Sequence, residues 1–434
     1  MMLRSFTMVL AFALLAALLA GCAAPGPLVT QPTSQPGMGA TEQTRPGGDQ
    51  SAPQTPAVET EPAAPATPEP SSPAATDVPQ PEPAQSAVVY IGVDDNLWLV
   101  DAVSGGSRPL TQDAALLPPG QLSEQLGHQS VTYSPARWSS DGKLLAYVRE
   151  MGTVTQEKLE VQFALWVYDL DAGSARPVLE LENQGVAGIA WKPGTNTIVY
   201  GPPVDPGYFS GRGQTVAELA KGIWAVDIDS GSPYELVKPE RGYSLVMPRW
   251  SPDGRFLVFE EVSLMEGRGT FAYYDFQAGQ YVAWDKVIGN YDWSPDGELI
   301  AYDELAYVAN GTERIVVANR QDMEEQLQTP QIEQGYAFLP VFSPQGDRLA
   351  YWVELAGPES QEYTLFVQSL AGGEPESLGT FEQVLGLSWS PDGESLAFSA
   401  GSYEHPEVIA VTVKDGMRRV LAEGRLPAWQ PAAP

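Results

Sequence analysis

The chain has 434 residues, more than one continuous core usually supports, so two domains or a repeat array are expected. It carries 55 acidic against 24 basic residues; 48 acidic and 22 basic lie beyond residue 87, leaving −26 on that part. Such a balance excludes nucleic acid, whose phosphates need clustered Lys and Arg, and sets the body against an anionic membrane surface. The charge reads as a source of solubility, with attraction of a cationic partner as the alternative.

Arg4 supplies a positive start, and residues 5–20 (SFTMVLAFALLAALLA) are apolar apart from Ser5 and Thr7. Sixteen residues fall short of the roughly 20 that a spanning helix needs, so residues 1–21 read as an export signal. The run ends Leu19-Ala20-Gly21-Cys22, and Cys22 is the only cysteine, which leaves no internal disulfide framework. These residues resemble the lipobox of bacterial lipoproteins, in which the thiol takes a diacylglycerol and becomes the new N-terminus. The resemblance implies an extracytoplasmic protein whose membrane contact runs through lipidated Cys22 alone. An ordinary signal peptide followed by a free thiol is the alternative.

Residues 22–87 read as the lipidated cysteine and a tether. Fifteen of the 64 residues from 23 to 86 are proline, and none is Ile, Phe, Tyr or Trp. Too little apolar area is present to offset the entropy of ordering, so disorder with polyproline character is expected.

Beyond residue 88 the chain repeats. One turn recurs as Trp138-Ser-Ser-Asp-Gly142, Trp191-Lys-Pro-Gly194, Trp250-Ser-Pro-Asp-Gly254, Trp293-Ser-Pro-Asp-Gly297, Phe342-Ser-Pro-Gln-Gly346, Trp389-Ser-Pro-Asp-Gly393 and Trp429-Gln-Pro431. Proline presets φ at the first corner, Asp favours the second, and Gly accepts positive φ, which makes a tight hairpin. A strand signature follows in Leu145-Ala-Tyr147, Leu257-Val-Phe259, Ile300-Ala-Tyr302, Leu349-Ala-Tyr351 and Leu396-Ala-Phe398. Apolar residues on both faces describe a strand between two sheets. A third strand ending in Asp and then Gly is seen at Leu165–Asp169, Ile223–Asp227 and Phe271–Asp275. Spacings between the aromatics of 53, 59, 43, 49, 47 and 40 residues suit four-stranded propeller blades. Residues 88–111 lack the aromatic strand, and residues 426–430 supply one with nothing after it. The two ends are expected to complete one blade. The fold expected for 88–431 is therefore an all-β, seven-bladed β-propeller; six blades remain the alternative if the unit around Trp191 is misassigned.

At these residues the chain is similar to TolB-type propellers, which share the Trp-Ser-Pro-Asp-Gly and Leu-Ala-Tyr/Phe pattern. The resemblance implies the architecture without naming a partner, since TolB carries an α/β domain ahead of a six-bladed ring. The propellers of prolyl oligopeptidases look similar too, but a hydrolase domain follows theirs, and none is expected in this chain.

Catalytic motifs are sparse. Gly242-Tyr-Ser-Leu-Val246 lacks the second Gly of a nucleophile elbow, and only His128 and His405 could serve a triad. Asp169-x-Asp171 and Asp227-x-Asp229 stop short of a calcium loop and read as turns. No metal, cofactor or enzymatic activity is expected. Recognition is expected on the irregular connections, residues 112–131, 151–163, 201–221, 328–338 and 400–406, which leave one face of the ring. Tyr208, Phe209 and Arg212, then Tyr336, Tyr403 and His405, are the candidates there, because Tyr and Arg dominate interface hot spots. The reading is a monomeric, protein-binding or scaffolding module of the cell envelope, its partner an unidentified protein or envelope component. Two alternatives stand: a carbohydrate-active or hydrolytic propeller with raised-pKa carboxylates in its funnel, and an accessory to a separate peptidase or transporter.

Overall fold

A computed structural model describes residues 86–431 apart from 119–123, 157, 182–184, 203–220, 263–268, 285–287, 305–313, 321–323, 330–334 and 356–361. The export signal and Cys22 lie outside the described residues, as does the tether up to residue 85. Strand structure begins at Ala87, the last residue assigned to the tether.

Three strands come first: β1 (Ala87–Gly92), β2 (Leu97–Asp101) and β3 (Ser107–Pro109). A five-stranded sheet follows, with β4 (Gln129–Tyr133) and β5 (Arg137–Trp138) both pairing with β6 (Leu144–Thr155), then β7 (Lys158–Asp169) and β8 (Ser174–Leu181). Next is the sheet of β9 (Ile189–Trp191), β10 (Thr197–Tyr200), β11 (Ile223–Asp227) and β12 (Pro233–Val237). A third holds β13 (Ser244–Trp250), β14 (Phe256–Val262), β15 (Gly269–Asp275) and β16 (Gln280–Ala283). The fourth holds β17 (Ile288–Trp293), β18 (Leu299–Glu304), β19 (Arg314–Asn319) and β20 (Glu325–Gln328). The fifth holds β21 (Gly335–Phe342), β22 (Arg348–Leu355), β23 (Glu362–Ser369) and β24 (Glu376–Glu382). Last are β25 (Leu385–Trp389), β26 (Ser395–Gly401), β27 (Pro406–Thr412) and β28 (Arg418–Trp429), which join β1–β3 in one seven-stranded sheet.

That sheet is the expected closure, made by one shared strand. The first half of β28 pairs with β27, Arg418 opposite Val411 and Glu423 opposite Glu407. Its second half pairs with β1, Gly424 opposite Gly92 and Trp429 opposite Val88. Gly424 is required at the crossover: a Cβ there would lie 2.4 Å from the Ile91 carbonyl oxygen. An Arg425–Asp95 ion pair and a 2.8 Å bond from Gln430 N–H to the Ala87 carbonyl hold the seam.

All seven repeat aromatics occupy equivalent positions. Trp138, Trp191, Trp250, Trp293, Phe342, Trp389 and Trp429 stand opposite Leu145, Ile198, Leu257, Ile300, Leu349, Leu396 and Val88. The turns between these partners add a role for serine. Ser139, Ser251, Ser294, Ser343 and Ser390 are buried, and each hydroxyl accepts the N–H five residues on at 2.9–3.0 Å. Each also donates to a turn carboxylate, Asp141, Asp253, Asp296, Asp347 or Asp392. Where Gln345 replaces the turn Asp, Asp347 takes over the bond.

The core lies between successive sheets. Leu145 and Tyr147 of β6 pack backward against Val89, Ile91 and Leu97, whereas Ala146 and Val148 pack forward against Trp191, Ile198 and Tyr200. The same two-sided burial recurs around the molecule and returns, at Val88 and Tyr90 against Ala397 and Val408, to the closing strands. Both faces of the second strand are therefore apolar, as its sequence requires.

One connection differs from expectation. Residues 151–163 are the far ends of β6 and β7, paired from Met151–Gln162 to Thr155–Lys158. Their alternation of Val154, Leu159 and Val161 with Thr, Gln and Lys is that of a hairpin solvated on one face, which a search for irregular loops misreads.

Candidate functional site on the ring axis

The first strands converge on a common axis. β9 touches β5 and β13, β21 touches β17 and β25, and β25 touches β28. Hydrogen bonds run from each to the next. Trp191 Nε1 donates to the Arg137 carbonyl at 2.9 Å, Met247 N to the Ala187 carbonyl at 2.8 Å, and Arg249 Nη1 to the Tyr291 carbonyl at 2.7 Å. Phe342 N donates to Asp292 Oδ2 at 2.9 Å, Trp389 Nε1 to the Val341 carbonyl at 3.1 Å, and Trp429 N to Ser388 Oγ at 3.1 Å. Trp138 Nε1 donates to the Ala428 carbonyl at 3.1 Å and brings the circuit back to its start.

The residue before each repeat aromatic points the other way along the strand and reaches solvent. In ring order these are Arg137, Ala190, Arg249, Asp292, Val341, Ser388 and Ala428, all half-buried or exposed. They line the axis. Just above them the strands bulge. Met247, Leu339 and Leu426, each three residues before its aromatic, hold φ of 52°, 53° and 55°, where Gly188 and Gly386 stand before Trp191 and Trp389. Left-handed backbone at a non-glycine residue costs on the order of 1–3 kcal/mol and persists only where the surroundings over-determine it. Here bonds to other strands do so: Leu339 N donates to Asp303 Oδ2 on β18 at 3.2 Å and Leu426 N to Ser399 Oγ on β26 at 3.3 Å.

Charge gathers on one side of this axis. Asp303 is 1% exposed and accepts the N–H groups of Gly289 and Asn290 at 2.6 Å and Asn290 Nδ2 at 2.9 Å, besides that of Leu339. Burial raises its pKa despite these donors. Asp292 is pushed up to about 6 by burial, against the pull of Arg249 and the Phe342 N–H. Glu260, on β14, is pushed up to about 7 by burial and by the charge of Asp303, with Arg249 opposing. The Arg249 guanidinium lies 5.1 Å from the centroid of the Tyr291 ring. Arg137 is open to water yet set deep enough that lost hydration, with Arg249 adding repulsion, lowers its pKa to about 10.

The residues expected to recognise a partner are placed differently. Tyr208, Phe209 and Arg212 lie outside the described residues. Tyr336 belongs to β21, not to a loop, and its hydroxyl donates to the Glu354 carboxylate on β22. Tyr403 is 76% exposed, and His405 is exposed beside it in the β26–β27 turn, its N–H held by Ser402 Oγ at 3.1 Å. The Asp-x-Asp pairs are turns: Asp169 Oδ1 accepts Ala172 N–H, and Asp227 Oδ1 accepts those of Asp229 and Ser230. The axial charges were missed by sequence reasoning, although the column preceding the repeat aromatic, compared across units, carries the signal.

No family model matches the chain, and no curated protein matches its sequence. Solved structures do. An oligogalacturonate lyase in complex with manganese is 13% identical over 78% of this chain and 84% of that one, with a TM-score of 0.50. A prolyl endopeptidase is 16% identical over 75% of this chain and 46% of its own, also at 0.50. TolB from Acinetobacter baumannii is 15% identical over 74% of this chain and 89% of its own, at 0.44. At such identities the likeness is one of fold. The described chain is a β-propeller.

Proposed function

We propose that this chain is a lipid-anchored, extracytoplasmic propeller of seven blades that holds a partner protein of the cell envelope. Counting β28 once in each of its halves, and β4 and β5 as one interrupted strand along β6, gives seven four-stranded units, and β9–β12 around Trp191 is a complete one. The observation that carries the reading is the circuit of hydrogen bonds through the first strands, which makes a rigid disc. Asp303 and Asp292 serve as braces in that disc, so their charge is committed to holding blades together. Recognition then falls to the irregular connections, with Tyr403 and His405 exposed among them.

The test is a photo-crosslinking residue at position 403 of the full chain on intact cells. A specific protein adduct is expected, along with release of the protein into the medium by Cys22→Ser. Absence of any adduct at 403 and at the other irregular connections overturns the partner reading, and retention of the Cys22→Ser protein on the membrane overturns the lipid anchor.

One observation favours the second reading, a hydrolytic or carbohydrate-active propeller. Glu260 titrates near neutrality beside Arg249, as a general acid–base would. Turnover of oligosaccharides or peptides that Glu260→Gln abolishes would establish it, and no turnover by the intact protein removes it.

A further inference from the structure

A cleft of about 320 Å³ opens between the sheet of β6–β8 and that of β9–β12, at the strand ends opposite the irregular connections. Leu144, Val167 and the buried Ile228 give it an apolar floor, and Asp169, Asp229, Asn196 and Arg176 stand at its rim. The two carboxylates differ in what they hold. Asp229 is answered within the chain, by Asn196 Nδ2 at 3.0 Å and by Arg176 Nη2 at 3.5 Å, while Arg176 Nη1 donates to the Ile228 carbonyl at 2.7 Å. Asp169 commits one oxygen, Oδ1, to the Ala172 N–H of its own turn at 2.9 Å, and among the described residues the other has no partner. Asp171 and Asp227 belong to the same two turns, which therefore carry four carboxylates against the one guanidinium of Arg176.

Another seam shows what fits such a place. Arg320 follows β19 and its N–H donates to the Glu298 carbonyl at 3.0 Å; Ile228 follows β11 and its N–H donates to the Asn196 carbonyl at 2.9 Å. The two positions are equivalent. The Arg320 side chain, 10% exposed, crosses to Asp253 of the preceding sheet at 3.0 Å, holds Glu298 at 2.8 Å and sets its guanidinium 5.1 Å from the centroid of the Phe256 ring. Ile228 brings no charge: it packs with Val167 of its preceding sheet, and the cleft stays open with Asp169 at its edge. We infer that this cleft seats a lysine side chain of a cationic partner protein, its methylene stem on Leu144, Val167 and Ile228 and its ammonium on the free oxygen of Asp169. The acidic body draws such a partner in, and lysine suits the seat because a compact ammonium needs one acceptor where an arginine fork needs two. The surface lies at the other end of the strands from residue 403 and is independent of the partner surface proposed above.

Saturation-transfer NMR of the full chain with Nα-acetyl-lysine amide tests the inference, with Nα-acetyl-norleucine amide as the probe that keeps the stem and lacks the ammonium. The lysine probe is expected to bind, with saturation strongest on its side-chain methylenes, and the norleucine probe to bind more weakly. Asp169→Asn keeps the Oδ1 bond to Ala172 and removes the charge; it should weaken the lysine probe by roughly three- to tenfold, the range for a charge-assisted bond at a partly exposed site. Asp171→Asn takes the same formal charge from the same turn without touching the cleft and should leave binding unchanged. Both variants should melt with the parent, which separates lost binding from lost folding. No binding of the lysine probe, equal binding of the norleucine probe, or an equal loss in Asp169→Asn and Asp171→Asn would each overturn the inference. Crosslinking at position 403 should be the same in parent and Asp169→Asn, so the partner reading stands or falls separately.

Discussion

Replacing Glu260 by Gln should stabilise the protein at pH 8 and leave it unchanged near pH 4.5. Burial lifts this carboxyl from 4.5 to about 7, with Asp303 adding and Arg249 opposing. Between those values the folded chain holds a proton that the unfolded chain has released, so stability falls as pH rises through the window and levels off above it. A shift of that size corresponds to roughly 3 kcal/mol, reduced to about 2 because Glu260 is only half-buried. Glutamine is neutral at every pH and has nearly the same shape, so it removes the penalty where the penalty exists. Urea unfolding of parent and variant at the two pH values gives the difference directly. An equal effect at both, or a less stable variant at pH 8, would refute the reasoning, the second by showing that Arg249 holds an ionised Glu260.

Three further perturbations test the architecture. Ser251→Ala removes a fully buried hydroxyl bonded to Asp253 and to the Phe256 N–H, and should cost about 1–3 kcal/mol in urea unfolding. Arg241→Ala leaves the Glu261 carboxylate, 1% exposed, with Tyr281 and Thr270 but without its guanidinium, and a loss of about 3–5 kcal/mol in urea unfolding at pH 7 is expected. Gly424→Ala forces β28 away from the Ile91 carbonyl, so limited proteolysis should cut near residue 92 and near residue 424 in the variant while sparing the parent.

Much of the ring is written in local chemistry. A Trp, a Pro-Asp-Gly turn and a strand apolar on both faces each act within a few residues, so their recurrence is visible without coordinates, and so is the missing aromatic strand that β28 supplies at Trp429. The serine of the turn was visible but its task was not, since its bonds to Asp253 and Phe256 depend on burial. The axial site was hidden for a different reason. Arg137, Arg249 and Asp292 belong to separate units, 112 and then 43 residues apart along the chain, at a position that varies between units, and only the packing of the sheets brings Arg249 within range of the other two. The hairpin at 151–163 is less legible because its Thr, Gln, Glu and Lys residues have the composition of a loop, and only their alternation with Val154, Leu159 and Val161 marks the paired strands.

The placement of β1 has a mechanical consequence. The chain enters its first strand at Ala87, and β1 is flanked by β28 on one side and β2 on the other. A pull on Ala87 is therefore resisted by two ladders at once, one of them made with the strand that also finishes the preceding blade. Tension arriving from that end is shared by two units, as in a rope whose free end has been spliced back into its own lay.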